Sequence, residues 1–459
     1  MLLALAWQVL FYSNCVSPHV YADAGDYIRL SKNPPLLRGE IDFWRTPGYP
    51  SFIAVAQHFS STEAKALRRV VLAQQIISWI SVYCFFYTAR SLFKSTLIAA
   101  GASLCYACHP EILGFNVSLY SESLAVSGTV FAVWLLVAYL RRPGYGKAVM
   151  MGITVFLLIM LRPAFLCFLP IFLLFWTVRL IVVREHRFRE MTGLCCAIAA
   201  LMLVLGYCQL FKTKYGDFAL SHVGYINQLF TIIHSGLYRN GSDPVINAKI
   251  ESRFDIWKQK NPNQAKPDNP WLYSQEGSRA VCLGLWLEEG DNILAWDEQI
   301  QYARETIRKN RLQFAKYSLG KFVGIKDDKF ETYRYTKYKK PYKQSLFNLF
   351  DWGLTFQAVY FLLLLEAVVL SVIFYFTRRI PWFWSVYWLL IAGIIFTAIV
   401  GAPNDWQRLV ISALPLVILL IAKYADLAVY VVRETCGKKI GEYLKESQVL
   451  PISTLVGKG

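Results

Sequence analysis

Ten apolar segments punctuate the chain, at roughly 1–16, 67–89, 96–109, 122–140, 148–161, 164–183, 192–211, 353–376, 382–400 and 408–432. A backbone inside lipid must satisfy its own N–H and C=O groups, and an α-helix of about 20 mostly apolar residues does so while crossing the hydrocarbon core. The expected fold class is therefore an all-α membrane protein, a multi-pass helical bundle of about ten spans. Two places interrupt the pattern. The third segment has only about fourteen residues, and Arg162-Pro163 separates the fifth from the sixth, so these spans are expected to tilt, re-enter or lie partly at the interface. Composition agrees: 55% of the residues are hydrophobic and 17% charged, against about 25% charged in soluble domains. With 48 Lys+Arg and 31 Asp+Glu the chain carries a formal +17, which on so apolar a background points to anionic headgroups rather than nucleic acid.

Orientation follows from the short connections. Alternating ten spans gathers Arg90, Lys94, Arg141, Arg142, Lys147, Arg179, Arg184, Arg187, Arg189, Arg378 and Arg379 on one side, with the tail 433–459 and its Arg433, Lys438, Lys439 and Lys445. The opposite short loops hold only Arg162 and Arg408 near their ends, so the first side is expected to be cytoplasmic. Met1 to Tyr12 lacks a preceding basic residue and a following small-residue cleavage site, and reads as a first membrane helix rather than a secretory signal. Two long segments then face outward, 17–66 and 212–352. The resulting division is an N-terminal membrane module over 1–211, an extracytoplasmic domain over 212–352, C-terminal membrane helices over 353–432 and a basic tail. Within 212–352, the stretches 246–260 and 296–318 have helical periodicity, the second with Trp296, Ile300, Ala303, Ile307 and Leu312 on an apolar stripe.

The first outer segment concentrates chemistry. It contains Tyr21-Ala22-Asp23-Ala24-Gly25-Asp26-Tyr27 and then Phe43-Trp44-Arg45-Thr46-Pro47-Gly48-Tyr49-Pro50. Carboxylates three residues apart can share a helical face, and either Asp23 or Asp26 would suit a general base toward an acceptor hydroxyl or amine; two solvated loop acids would look the same. Further along, Tyr120-Ser121-Glu122 opens the fourth span, Leu161-Arg162-Pro163 falls at an outer helix end, and Asp405-Trp406-Gln407-Arg408 leads into a last span containing Pro415.

In this order, those motifs resemble the GT-C superfamily of integral-membrane glycosyltransferases that use polyprenyl-phosphate sugars, among them the protein O-mannosyltransferases and the lipid A aminoarabinose transferases. The resemblance covers residues 20–183 and 400–425 and leaves 212–352 unmatched. It implies a GT-C-like bundle with a largely helical extracytoplasmic segment, and inverting transfer of a hexosyl or pentosyl group. The donor is a polyprenyl-phosphate sugar and the acceptor a cell-envelope glycan, lipid or protein. The implied location is a bacterial inner membrane, with the site facing the periplasm. Asp23, four residues before Tyr27, matches the usual catalytic carboxylate, with Asp26 the second candidate; Ala24 follows Asp23 where the family often has a second acid, and that departure leaves the choice between the two Asp residues open. Arg45 and Tyr49 match the stretch that shapes the donor pocket. Glu122 matches a second outer acid better than Glu111 does. Arg408 matches a C-terminal arginine, whose usual Tyr neighbour is here Leu409. Arg suits phosphate through its fixed donor fork, so Arg162 and Arg408 become candidate phosphate anchors, although Arg162 beside Pro163 would also serve by snorkelling to the interface. A divalent cation, with Asp23 and Glu122 as candidate ligands, is the one cofactor the resemblance leaves open.

Other features point elsewhere or nowhere. Nine Lys and Arg alternate with aromatic residues from Lys316 to Lys343, a pattern that suits headgroup anchoring or an anionic lipid-linked acceptor. Cys105 and Cys108 form a C-x-x-C without a second pair, and His58, His109, His222 and His234 are scattered, so a zinc centre lacks its spacing. No Walker motif or Ser/His/Asp order supports ATP-driven transport or serine hydrolysis. Two rivals remain: an O-antigen ligase or polymerase using pyrophosphate-linked oligosaccharide, and a flippase or secondary transporter, which would more often show inverted repeats and broken helices.

Overall fold

The computed structural model describes residues 2–20, 23–33, 41–58, 62–183, 185–261, 281–282, 285, 293–324, 339, 347, 349, 351, 353–377, 381–401 and 410–435. They form two compact units. The first comprises 1–220, 328–395 and 407–459, and the second 221–327 with 396–406.

The first unit opens with α1 (Leu2–Asn14), α2 (Ala24–Ser31), α3 (Gly48–Gln57), α4 (Glu63–Leu92), α5 (Thr96–Cys108) and α6 (Pro110–Asn116). It continues through α7 (Glu122–Arg141), α8 (Tyr145–Leu161), α9 (Phe168–Val182) and α10 (Arg187–Tyr215). Local signals set several of these ends. Thr62 and Ser95 cap α4 and α5 by accepting the Lys65 and Ile98 amides, Pro110 occupies the first turn of α6, and Gly216 ends α10 in the left-handed region at φ 82°. Arg162, in extended backbone before Pro163, breaks α8 from a short 3-10 turn over Pro163–Cys167, as expected where proline removes a donor and restricts its predecessor.

All ten expected apolar helices are present among the described residues. Seven are long and apolar enough to cross a membrane: Glu63–Leu92, Glu122–Arg141, Pro163–Val182, Arg187–Tyr215, Phe356–Thr377, Trp382–Val400 and Ile411–Val432. The remaining three, α1, α5 and α8, are shorter apolar helices. The protein is thus an all-α, multi-pass membrane protein. In the first unit α4 packs on α5 and α7, α7 on α8, α8 on α10 and α10 on α9, so α7 is the most enclosed of the seven and the helix over Phe356–Thr377 the least.

Charge is buried where these helices meet. Arg179 of α9 donates to both oxygens of Glu190 of α10 at 2.9 and 2.6 Å, amid the rings of Tyr139, Phe175 and Trp382. Glu366 accepts from Lys423 at 2.7 and 2.6 Å and from the Tyr424 hydroxyl at 2.8 Å, with Lys423 lying 4.1 Å from the Trp384 ring. Asp426 accepts from the backbone N–H groups of Lys94 and Ser95 ahead of α5. An ion in lipid is costly unless paired, and these pairs knit spans together.

The second unit holds α11 (Val223–His234), α12 (Pro244–Lys260), α13 (Ile293–Lys309) and α14 (Arg311–Gly324). Its core gathers Leu229, Phe230, Ile233, Ile250, Phe254, Cys282 and Ala303. Asp243 caps α12 by accepting the Val245 and Ile246 amides. The apolar stripe expected to continue to Leu312 stops at Ile307. The helix breaks at Asn310, whose amide donates to the carbonyls of Thr306 and Asn240, and Leu312 is exposed. The side chain of Trp296 and most of the basic, aromatic run after Lys316 lie outside the described residues. The remaining helices among the described residues are α15 (Phe356–Thr377), α16 (Trp382–Gly401) and α17 (Leu414–Thr435).

Candidate active site

Helix α2 forms because Ala24, Tyr27 and Ser31 recur on one buried face, while Asp26 in its first turn complements the helix dipole. Asp23 sits at the N-cap yet makes no capping bond with its side chain. Its carboxylate reaches instead across the loop to Arg45, whose Nη2 donates to Asp23 Oδ1 at 2.7 Å and to Asp26 Oδ2 at 3.1 Å. One guanidinium thus gathers both predicted carboxylates. The side chains are 17% (Arg45), 21% (Asp23) and 44% (Asp26) exposed, so the cluster is open on one side. Arg45 also lies 5.2 Å from the Tyr27 ring. Burial works against its charge, but Tyr27, Asp23 and Asp26 outweigh that and push Arg45 further up.

The segment carrying Arg45 is held from several sides. Asp42 Oδ2 accepts the backbone amides of Trp44 and Arg45, each at 2.8 Å, and its Oδ1 lies 3.5 Å from Arg29 of α2. The Ile41 carbonyl accepts from Lys214 Nζ and the Tyr215 hydroxyl at the end of α10, both at 2.8 Å. Thr46 donates to the Leu161 carbonyl at 3.1 Å. A Cβ on Gly48 would lie 2.6 Å from the Met160 carbonyl oxygen, so only glycine lets this turn lie against the end of α8.

Tyr49 is fully buried behind Tyr27, ring centroids 4.8 Å apart, and its hydroxyl donates to Gln74 Oε1 at 2.5 Å. Gln74 in turn donates to the Ser118 carbonyl at 2.9 Å. His19 makes a parallel bridge with Ser118, donating its amide to Val117 and accepting that of Leu119. Both ends of the first loop are therefore pinned to the turn that precedes α7.

That turn leads to Glu122, which is buried and lies 3.1 Å from Arg162 Nη1. The Ser121 hydroxyl donates to the other Glu122 oxygen at 3.3 Å. Arg162 is itself buried and paired with Glu122, and follows the Leu161 carbonyl that holds Thr46. The structure thus ties Asp23, Asp26, Arg45 and Tyr49 into one cluster, and links that cluster by a single residue step to the Glu122–Arg162 pair. Arg408 lies outside the described residues. Glu111 is in the first turn of α6.

Among the described residues no three His, Cys, Asp or Glu side chains gather as metal ligands do. Asp23 and Glu122, the candidate ligands, are each in contact with a guanidinium. A cation beside Arg45 or Arg162 would meet like charge, so the residues as arranged do not fit a divalent ion. In the second unit, burial pushes the Cys282 thiol up, away from nucleophilic use.

No protein-family model matches the chain, and no curated protein matches it. Among solved structures it is similar to the Archaeoglobus fulgidus oligosaccharyltransferase AglB in complex with an inhibitory peptide and a dolichol-phosphate. There the TM-score is 0.46 and the identity 16%, over 99% of this chain and 54% of that one. A second structure of the A. fulgidus oligosaccharyltransferase, in complex with Zn and sulfate, gives 0.46 and 16% over 96% and 48%. A third, tethered to an acceptor peptide containing the NVT sequon, gives 0.45 and 15% over 99% and 53%. The chain spans about half the length of these structures. At such similarity their activity remains theirs.

Proposed function

We propose that this protein is a membrane glycosyltransferase that moves a sugar from a polyprenyl-phosphate donor to a glycan, lipid or protein acceptor on the extracytoplasmic face. The observation that carries the reading is the convergence of Asp23 and Asp26 on Arg45, in a loop braced against the ends of α8 and α10. A partly exposed carboxylate fixed in orientation by a guanidinium can accept a proton from an acceptor brought to its exposed side. Asp23, with Asp26 as the second candidate, takes the proton from the acceptor hydroxyl or amine. The acceptor then attacks the sugar C1 from the face opposite the phosphate, the C1–O bond breaks, and polyprenyl phosphate leaves with the bonding pair, inverting the anomeric centre. Arg162 and Arg408 are the proposed anchors for the phosphate, their planar donor forks matching its oxygens. Arg162 would exchange Glu122 for it, and Arg45 would hold the carboxylates in place.

The test is label transfer by the purified full chain. The donors are a panel of polyprenyl-phosphate hexoses and pentoses and, in parallel, pyrophosphate-linked oligosaccharides, with cell-envelope extract as the acceptor source. Transfer from a monophosphate donor, with stoichiometric release of polyprenyl phosphate, is expected. Transfer from the pyrophosphate donors alone would replace the reading with a ligase or polymerase. Lipid movement without bond formation would replace it with a flippase.

A further inference from the structure

Asp42 belongs to none of the motifs that drew attention to this loop, yet its carboxylate is where the loop's hydrogen bonds meet. Its Oδ2 accepts two successive amides, Trp44 and Arg45, at 2.8 Å each, and its Oδ1 faces Arg29 at 3.5 Å. One carboxylate accepting two backbone N–H groups fixes the turn two and three residues ahead of it, and Arg45 is the residue whose amide is held. The cross-links between α2 and the loop therefore run in both directions. Asp23 at the N-cap of α2 and Asp26 within it meet Arg45 of the loop, and Arg29 of α2 meets Asp42 of the loop.

The two halves of that clasp are unequal. Arg29 is 62% exposed and its contact is long, so solvent screens it and it contributes little. The two amides donate at 2.8 Å to a side chain that is only 11% exposed, where such bonds are strong and their loss leaves unmet donors.

We infer that Asp42 is a positioning residue. By holding the Trp44 and Arg45 amides it aims the Arg45 guanidinium at Asp23 and Asp26, and the aim of that guanidinium determines whether the carboxylate base is held in its reactive place. This rests on the glycosyltransferase reading for its catalytic consequence, but not for the geometry it asserts.

Asp42→Ala and Asp42→Asn in the full chain test it by two readouts. The first is hydrogen–deuterium exchange at the Trp44 and Arg45 amides, which needs no activity. Exchange is expected to quicken about tenfold or more in Asp42→Ala, whereas Asp42→Asn, which keeps an oxygen acceptor, stays close to wild type. The second is the transfer assay. There Asp42→Ala is expected to lower kcat about tenfold with KM changed less than about twofold, and Asp42→Asn to restore most of kcat. Unchanged exchange in Asp42→Ala overturns the inference, as does quickened exchange with kcat intact. A loss of kcat that Asp42→Asn fails to restore would assign the effect to the Arg29 charge and also overturn it. Should the wild type transfer no sugar at all, the functional reading fails, and the exchange measurement alone decides whether Asp42 holds the turn.

Discussion

Two arginines in the first unit each hold carboxylate, and they do so in opposite settings. Arg179 meets Glu190 through two parallel bonds, with both side chains almost fully enclosed (2% and 0% exposed) and three aromatic rings around the guanidinium. Arg45 meets two carboxylates through one nitrogen, and Asp26 stays nearly half exposed. The first arrangement matches one fork to one carboxylate and shuts out any third party. The second leaves carboxylate surface facing outward on a braced loop. A closed pair holds helices together; an open one is where the proposed reaction would bring the acceptor's proton.

The largest effect is expected at the closed pair. Glu190→Gln leaves the Arg179 charge buried without its counter-ion, and a loss of about 3–5 kcal/mol is expected in detergent unfolding. The double change Arg179→Met with Glu190→Leu should recover most of that stability, because an enclosed pair replaced by apolar volume is close to neutral. Full stability in Glu190→Gln would contradict the assignment of this pair to packing.

At the open cluster the effect moves from stability to rate. Arg45→Ala removes the group that fixes both carboxylates, and transfer is expected to fall about 100-fold, the cost of misplacing a reacting group by roughly an ångström, while the unfolding midpoint moves little. Gly48→Ala sharpens the link between the loop and α8. Its methyl would press on the Met160 carbonyl, and a loss of about 1–3 kcal/mol is expected, with weaker transfer. Smallest is Tyr49→Phe, which removes the hydrogen bond to Gln74 and leaves that buried acceptor unmet. A destabilisation of about 1–2 kcal/mol is expected, with transfer per folded molecule nearly unchanged.

The sequence reveals the helices readily, because a long apolar run is a local signal, and it reveals Asp23, Asp26 and Arg45 because they lie within one loop. Pairings over distance are less legible. Glu122 and Arg162 are both expected from the sequence on the outer side, but nothing in the 39 residues between them says that they touch. Arg179 counts toward orientation as a cytoplasmic-side cation, yet it lies inside α9 and is neutralised by Glu190. Glu366, Lys423 and Asp426 lie inside apolar spans, where a charge at such depth is itself the signal that a partner exists. Asp42 carried a fainter signal, an Asp two and three residues before the amides it accepts.

The most direct test of the account compares wild type, Asp23→Asn, Asp26→Asn and Glu190→Gln in the transfer assay, with rates normalised to folded protein. Loss of at least about 100-fold in one of the two loop variants, with the folded fraction of Glu190→Gln still transferring at close to the wild-type rate, is the predicted result. Transfer that survives in both Asp23→Asn and Asp26→Asn would contradict the placement of the reacting centre at the open cluster.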